Sequence, residues 1–367
     1  MSVARTIVCF NSGSSSLKYS VFVGMRPVLD GAVERLSAGE VTAALEDVLN
    51  RVEDAKLPLP DGIGHRFVHG GPRHFEPELV TDALLADLRA CSAFAPLHMP
   101  AQLEVVEALS RKLPKTPQVL CFDTGFHRDL PAAARTLPLP LAVADPEGLR
   151  RFGFHGLSCE WMVQSLGAEA LGRAVLAHLG SGSSLTAVRG GKSVDTTMGL
   201  TPSGGLMMGT RTGELDPGVL LYLGRQGRDF DGLEQLVNRE SGMKGVSGKT
   251  GDMKALLELR EHDGAARLAV EMFCYQARKA VGALAAALGG LESLVFTGGV
   301  GERAAPVRAE ICTGLEHLGV ELDAARNARS EAVISTGRVR VHVLKANEER
   351  MIAEGTERVL SRPPHSL

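Results

Sequence analysis

The stretch TIVCFNSGSSSLKYSVF, from Thr6 to Phe22, places a run of small and polar residues between two apolar runs. Thr6–Phe10 is apolar and β-branched, and Leu17–Val23 alternates apolar residues with others at period two, so both are predicted strands. The connecting segment Asn11–Ser16 fits two interpretations. It is either a polar hairpin turn, or a loop whose N–H groups and hydroxyls hold phosphate oxygens while Lys18 supplies positive charge.

A second copy of this pattern lies in the middle of the chain. The segment SGSSLTAVRGGKS, which begins at Ser181, echoes SGSSSLKYSVFVG, which begins at Ser12, and each copy follows an apolar run. Two copies of strand, Gly/Ser loop and strand predict a duplicated fold with two phosphate-holding hairpins that face each other across a cleft. Two unrelated polar turns are the alternative.

A third glycine cluster, LVFTGGVGE at Leu294–Glu302, also follows an apolar run. Glycines at the end of a strand let the backbone approach a ligand closely, although one such cluster fits a plain turn equally well. As the third loop of a duplicated fold, the cluster indicates a nucleotide ligand.

Composition narrows the class of protein. A chain of 367 residues favours two domains, and 44% hydrophobic residues with 42 glycines suggest an α/β protein with many tight connections. The net charge of −3 argues against nucleic-acid and anionic-membrane partners. Six cysteines without a C-x-x-C pair argue against a zinc site and a disulfide framework. The absence of a long apolar run leads us to expect a cytoplasmic protein.

Apolar patterning predicts strands interleaved with helices, as in α/β units. The predicted strands are Thr6–Phe10, Leu17–Val23, Gln118–Phe122, Arg173–His178, Leu185–Val188, Leu294–Thr297 and Val339–Leu344. The predicted helices are Val41–Val52, Ala101–Ser110, Leu157–Leu166, Ala265–Leu288 and Glu348–Leu360.

The three loops together resemble the acetate and sugar kinase, Hsp70 and actin superfamily, and within it the chain resembles the acetate kinases over essentially its whole length. Nine motifs in family order carry this resemblance: NSGSSSLK, HRFVHGG (His65–Gly71), APLHMP (Ala95–Pro100), FDTGFH (Phe122–His127), RRFGFHGLS (Arg150–Ser158), HLGSGSS (His178–Ser184), DTTMGLTPSGGLMMGTRTGELDP (Asp195–Pro217), FTGGVGE and ANEE (Ala346–Glu349).

The resemblance implies an α/β fold with duplicated actin-like ATPase (ribonuclease H-like) domains flanking a central cleft. Residues 1–125, completed by the C-terminal helix 347–367, would form an acceptor-side domain, and residues 126–346 a nucleotide-binding domain. It implies an acetate kinase that moves a phosphoryl group reversibly from ATP to acetate, giving acetyl phosphate and ADP. The implied metal is Mg²⁺, with Mn²⁺ as a substitute, and the implied assembly is a homodimer.

Two other functions compete with this one. The same scaffold would serve a kinase of propionate or another short-chain acid. A non-enzymatic nucleotide-binding protein, as among the actin and Hsp70 relatives, is the alternative from another class, but it would not explain Arg66, His155 and Arg211.

The candidate catalytic residues each have a structural alternative. Spacing alone favours buried ion pairs for Arg66 and Arg211, whereas the resemblance makes them clamps for the substrate carboxylate and the phosphoryl group. The residue context of His155 is by itself typical of a core histidine. The resemblance implies that His155 donates to the phosphoryl oxygens in the transition state. Asp123 is either a turn cap or, by resemblance, catalytic in a role left open.

By resemblance, Asn11 and Glu348 are associated with Mg²⁺, which needs few protein oxygens. The alternative for the ANEE motif is a helix start with Asn347 as N-cap, and both interpretations can hold together. The resemblance places the acetate methyl group in a small apolar pocket formed by Val68, Leu97, Phe154 and Pro202. Each of these residues, taken by itself, is more typical of a hydrophobic core.

The resemblance also implies a set of nucleotide-binding residues: Ser14, Ser16 and Lys18; His178, Leu179, Gly180, Ser181 and Gly182; Asp252, Met253 and Lys254; Gly299, Val300, Gly301, Glu302 and Arg303. Three of them depart from the usual family residues, since Ser181 and Arg303 stand where asparagine is usual and Lys254 where arginine is usual. Lysine lacks the planar fork of arginine. We therefore expect ATP to be bound weakly or with relaxed selectivity.

Overall fold

The computed structural model describes residues 4–13, 16–34 and 41–362, and of Ser16 and Glu34 only the backbone. The chain forms two compact units. The first comprises Met1–Arg128, Phe154–Trp161 and Asn347–Leu367, and the second comprises Asp129–Gly153 and Met162–Ala346. In this division Phe154–Trp161 belongs to the first unit, whereas the boundary inferred from sequence assigns it to the second.

Each unit contains one mixed sheet. The strands of the first are β1 Thr6–Ser12, β2 Ser16–Val23, β3 Arg26–Glu34, β4 Gly62–Phe67, β5 Glu78–Leu79 and β6 Gln118–Phe122. The strands of the second are β7 Arg173–Leu179, β8 Ser183–Arg189, β9 Lys192–Thr196, β10 Ser293–Thr297 and β11 Arg340–Val343.

The two sheets repeat one topology. The first has the order β3-β2-β1-β4-β6-β5, and the second, read in the same sense, has the order β9-β8-β7-β10-β11. In each sheet the first three strands form antiparallel pairs and the next two join in parallel. Both Gly/Ser loops therefore connect the two strands of an antiparallel hairpin, β1–β2 and β7–β8. This repeat confirms the predicted duplicated α/β fold.

Helices cover the sheets. In chain order they are α1 Val41–Asp54, α2 Asp82–Ala90, α3 Met99–Lys112, α4 Ala132–Arg135, α5 Leu141–Glu147, α6 Gly156–Leu166, α7 Ala168–Leu171, α8 Pro217–Arg225, α9 Phe230–Gln235, α10 Gly242–Ser247, α11 Met253–Leu259, α12 Gly264–Leu288, α13 Gly298–Arg303, α14 Ala305–Cys312, α15 Ala324–Ala328 and α16 Glu348–Leu360. Short 3₁₀ turns occur at Ser92–Phe94, Gly125–His127 and Glu316–Leu318, and a π-helical turn at Leu236–Glu240.

The first sheet is packed on both faces. Apolar side chains of α1 and α3 cover one face, and those of α16 cover the other. Helix α16 lies directly on β4 because β4 carries glycine at position 64, where a Cβ would collide with Ile352 and Thr356. Asn347 caps the helix, since its Oδ1 accepts from the Arg350 N–H at 3.2 Å. The second sheet packs on α12, which Asp263 caps at its start and Gly289 ends in a left-handed conformation.

Candidate active site

Two charged side chains of the first unit meet where two parallel strands end. Arg66 lies near the end of β4 and Asp123 directly follows β6. The Arg66 Nε and Nη2 donate to Asp123 Oδ2 at 2.9 and 2.6 Å. Burial alone would lower the pKa of Arg66, but the charges of Asp123 and Glu348 outweigh it and the pKa is raised. The guanidinium therefore stays charged, and the ion pair expected from spacing alone is present.

The Asp123 carboxylate is fully buried. Its Oδ1 makes no hydrogen bond of ordinary geometry within the described residues. Burial raises the Asp123 pKa to about 6; Arg66 and the nearby Leu157 N–H act in the opposite direction, and Glu348 adds to the rise. A buried carboxylate with one oxygen lacking a conventional bond is suited to a ligand, water or metal contact.

Asn11 connects this pair to the start of α16. Its Oδ1 accepts from Arg66 Nη1 at 3.1 Å, and its Nδ2 donates to Glu348 Oε2 at 2.9 Å and to Glu349 Oε1 at 3.0 Å. The two residues predicted to hold a metal, Asn11 and Glu348, are thus in direct contact although 337 positions separate them. Glu349 was not predicted, and its only sequence signal was its place in the ANEE motif.

His155 lies in a turn that is fixed against Asp123. Its backbone has φ of 56°, the left-handed region that a non-glycine residue rarely adopts. The next residue, Gly156, donates its N–H to the Asp123 carbonyl at 2.8 Å and packs so closely there that a Cβ would clash. The buried His127 ring contacts the Phe154 carbonyl at 3.0 Å through Nε2. The strained turn therefore places His155 beside the ends of β4 and β6.

Three of the four predicted pocket residues lie in the first unit. Val68 and Phe154 are buried and Leu97 is half-buried, while Pro202 lies buried in the second unit. His69, which sequence reasoning missed, is fully buried, with its ring centroid 5.2 Å from that of Phe94 and 5.4 Å from that of Phe154. Its Nδ1 accepts from the Gly71 N–H at 2.8 Å. Its place in the HRFVHGG motif, next to Val68, was its only sequence signal.

The predicted phosphate hairpin of the first unit is described in part. Ser14 lies outside the described residues, and Ser16 begins β2. Lys18 is exposed and pairs across the ladder with Asn11. Cross-strand partners share a face of the sheet, so this positive charge lies beside the Asn11 end of the network.

In the second unit the β7–β8 loop contacts two other predicted motifs through backbone atoms. The Ser181 carbonyl accepts from the Gly209 N–H at 3.3 Å, and Gly209 in turn packs against Gly251, next to Asp252. Gly298 has φ of 77° and lies against Leu179, where a Cβ would sit 2.6 Å from the Leu179 carbonyl oxygen. Gly209 and Gly298 thus contact Ser181 and Leu179 directly, and Gly251 packs on Gly209.

The side chains around this loop are mostly exposed or already engaged. Ser181, Lys254 and Arg303 are exposed, and Arg303 lies over Gly299, so the Arg303 guanidinium covers the glycine cluster. Asp252 caps α11 by accepting from the Ala255 N–H at 2.8 Å, and Glu302 accepts from the Ala346 N–H at 2.9 Å.

The remaining predicted nucleotide residues divide between strand, loop and helix. His178 and Leu179 end β7, Gly180 and Gly182 close its loop with a Gly180 N–H to Gly182 carbonyl bond of 3.0 Å, and Met253 is buried in α11. Gly299, Val300 and Gly301 lie in α13, so the predicted loop is the first turn of a helix.

Arg211 and Pro202 contact each other in the second unit. The Arg211 Nη1 donates to the Pro202 carbonyl at 3.2 Å and lies 3.6 Å from Met208 Sδ. The segment is held by a bond between the Met208 N–H and the Arg211 carbonyl at 3.0 Å. Arg211 is thus anchored to the segment that carries Pro202.

No cluster of three or more His, Cys, Asp or Glu side chains with metal-binding geometry occurs in the part of the chain that the structure describes. Among the described helices, none is both long and apolar enough to span a bilayer.

Comparison with known proteins gives concordant matches. The model of the acetokinase family matches residues 30–354. An acetate kinase of Syntrophobacter fumaroxidans is 40% identical over 401 aligned positions, covering 97% of both chains. Among solved structures, a propionate kinase from Francisella tularensis has a TM-score of 0.91 at 33% identity, covering 97% of this chain and 100% of its own. The acetate kinase of Porphyromonas gingivalis has a TM-score of 0.86 at 35% identity, covering 98% and 100%.

Proposed function

Because the chain belongs to the acetokinase family, we propose that it uses Mg²⁺ and ATP to phosphorylate acetate reversibly, giving acetyl phosphate and ADP. It is an acetate kinase, a phosphotransferase with a carboxyl group as acceptor (EC 2.7.2.1). The observation that carries the residue assignments is the buried Arg66–Asp123 pair with Asn11 and Glu348 attached to it.

The geometry of Arg66 supports a clamp for an anion. Within the described residues three of its five N–H groups are used, two by Asp123 and one by Asn11, so each terminal nitrogen keeps one further N–H there. Two such N–H groups can bind the oxygens of a carboxylate or phosphoryl group. Asp123 fixes the guanidinium plane, so the clamp is oriented before substrate arrives.

Acetate needs no general base, because a carboxylic acid of pKa about 4 to 5 is already ionised at neutral pH. The protein's task in phosphoryl transfer is then to align the two anions and to stabilise charge on the phosphoryl oxygens. We assign Arg66 to the acceptor, and His155 and Arg211 to the phosphoryl group. Val68, Leu97 and Phe154, all in the first unit, would enclose the methyl group.

The donor set beside Arg66 fits Mg²⁺. Glu348 and Glu349 supply carboxylate oxygens, hard ligands of the kind this ion takes in small numbers beside water and phosphate. The Asn11 amide oxygen accepts from Arg66 and has a second lone pair for a ligand. When bound, the ion neutralises phosphate charge. We infer that Glu348 and Asn11 hold it, and that Mn²⁺ can substitute.

We propose that the nucleotide binds in the second unit, along the loop Leu179–Gly182 and the first turn of α13. The support is the convergence of three glycine segments, which gives backbone access to phosphates. Ser181, Met253, Lys254, Val300 and Arg303 would line the rest.

We also propose a cytoplasmic homodimer that forms through α8 and α9. Leu221, Tyr222 and Phe230 are 63%, 60% and 79% exposed there, an apolar surface unusual for a monomer. Light scattering tests this: the wild type should have twice the monomer mass, and Leu221→Asp with Phe230→Asp should halve it. A monomeric wild type would contradict the dimer.

Propionate is the second candidate acceptor, favoured by the TM-score of 0.91 to a propionate kinase. The decisive assay traps acyl phosphate with hydroxylamine in the presence of Mg²⁺ and ATP, with acetate, propionate or butyrate supplied in turn. We expect the highest kcat/KM with acetate. ATP hydrolysis without acyl phosphate from any acid would overturn the proposed reaction, and a preference for propionate would replace the acceptor.

A further inference from the structure

One buried side chain outside the residues assigned above joins two parts of the candidate site. Gln102 lies in α3 and is 2% exposed. Its Oε1 accepts from the Val68 N–H at 3.0 Å, and its Nε2 donates to the Ser12 carbonyl at 3.1 Å. The orientation of the amide is unambiguous, because one backbone partner can only donate and the other can only accept.

The two backbone groups that Gln102 bridges are those that a continued sheet would join directly. Strands β1 and β4 are parallel, and their pairing ends at Phe10 and His65. The Ile63 N–H bonds to Pro117 and the Phe67 carbonyl accepts from Asp123, so these odd-numbered residues of β4 face β6. The N–H groups of residues 64, 66 and 68 therefore face β1.

Extending this register pairs Ser12 with Phe67, and the next ladder bond would run from the Val68 N–H to the Ser12 carbonyl. That bond is absent, and the amide of Gln102 occupies its place, donating to one group and accepting from the other. The strands thus separate at their carboxyl ends by the width of one amide group. Ser12 is the last residue of β1, before the Gly/Ser loop, and Val68 belongs to the proposed acceptor pocket.

We propose that Gln102 is a positioning residue that sets the spacing between Ser12, at the end of β1, and Val68 of the acceptor pocket, just after β4. It acts through the backbone of Ser12 and Val68 and does not touch substrate. A side-chain amide suits this task because it satisfies both backbone groups while holding the strands apart, whereas water or an apolar side chain would leave the gap free to close or widen. The kinetic part of this inference rests on the proposed function.

The test compares Gln102→Met with Gln118→Met. Gln118 is a matched control, since it is 5% exposed and also makes several buried bonds, to His65, Val106 and Ser110, but it lies at the start of β6 and bonds to neither Ser12 nor Val68. Both variants should lower Tm. Only Gln102→Met should raise the KM for the carboxylate, by about tenfold, the penalty of a displacement below 1 Å, and neither variant should change the KM for ATP. A carboxylate KM within twofold of wild type for Gln102→Met would overturn the inference.

A second measurement does not need activity. Hydrogen exchange at the Val68 amide should be about tenfold faster in Gln102→Met and unchanged in Gln118→Met, because only the first removes its acceptor. Unchanged exchange at Val68 would overturn the inference even if the KM for the carboxylate rises.

Gln102→Glu is used if Gln102→Met fails to fold. It keeps the acceptor for the Val68 N–H and, when ionised, loses the donor to the Ser12 carbonyl. Its KM for the carboxylate should therefore rise with pH relative to wild type. A wild type that forms no acyl phosphate removes the proposed function and leaves the exchange result standing.

Discussion

The candidate acceptor region of the first unit and the candidate nucleotide region of the second are built differently. In the first, a charged network of side chains is buried: Asp123 has no exposed surface, and Arg66, Asn11 and Glu348 are hydrogen-bonded or paired with it or with each other. In the second, backbone segments converge and the charged side chains of Lys254 and Arg303 are exposed. Function in the first region should therefore depend on single side chains, and in the second on backbone shape.

The largest effect should come from breaking the Arg66–Asp123 pair. Arg66→Met removes the clamp and should lower kcat/KM by more than about a hundredfold, the scale reported for single electrostatic donors in active sites. It also leaves Asp123 buried without its cation, which costs about 3–5 kcal/mol of unfolding free energy when the carboxylate is charged. Urea denaturation at pH 6 and pH 8 measures this loss. Because Arg66 lowers the Asp123 pKa, its removal raises that pKa further, and the loss should grow as pH rises.

The double variant Arg66→Met with Asp123→Asn is the control for this prediction. It removes both charges, so it should recover much of the stability while activity stays lost. If Arg66→Met retains wild-type kcat/KM in its folded fraction, the pair is structural and the comparison between the two regions fails.

A smaller effect is expected from the pocket. Val68→Ala vacates the volume of two methyl groups in the first unit and should shift the ratio of kcat/KM values toward propionate by about tenfold, since one methylene is worth about 1–3 kcal/mol. Val48→Ala is the matched control, because Val48 is equally buried in α1, away from the site. An unchanged acid ratio in Val68→Ala would remove Val68 from the pocket.

A pH effect should distinguish the buried region further. Glu160, in α6, is half-buried, and burial raises its pKa to about 7 from 4.5; Arg358 and Arg128 oppose the rise, while Glu76 and Asp123 add to it. The folded state then binds this proton more tightly than the unfolded state, so the stabilisation is complete below about pH 4.5 and is lost as pH rises through about 7. Wild-type Tm should therefore fall between pH 5.5 and pH 8 by a few degrees more than that of Glu160→Gln. Parallel Tm curves for the two proteins would contradict the assignment.

The sequence predicted the regular elements well where the pattern was local. Both Gly/Ser hairpins, the strand Gln118–Phe122 and the helix Glu348–Leu360 lie where periodicity placed them. Strands β3, β4 and β9 were missed, since Arg26–Glu34 and Lys192–Thr196 are polar strands whose apolar pattern is weak and β4 is rich in glycine and histidine. The third glycine loop is the first turn of α13, and Gly298, with φ of 77°, makes the turn from β10 into this helix.

The resemblance named candidate site residues but not their partners. Resemblance selected Asn11, Arg66, Asp123 and Glu348, and only the fold shows that one hydrogen-bond network joins them. Gln102 carries no sequence signal and Glu349 only its place in the ANEE motif, because the groups that they contact lie far away in sequence.

The smallest effect should come from the exposed side chains of the second unit. Ser181→Asn with Lys254→Arg replaces two exposed residues by those the family usually has, and it adds an amide and a planar fork beside the converging glycines. Because that region is formed by backbone, we expect the KM for ATP to fall by only about threefold, the equivalent of one exposed charged contact, and the KM for acetate to stay the same. Lys249→Arg, at another exposed lysine of the same unit, should change neither constant.

Pyrophosphate and GTP are assayed as donors alongside ATP. If pyrophosphate outperforms every nucleotide, the assignment of ATP as donor is wrong, and only the assignment of the acceptor is kept. If the double variant lowers the KM for ATP more than about thirtyfold, side chains dominate the second region as they do the first, and the contrast drawn between the two regions is wrong.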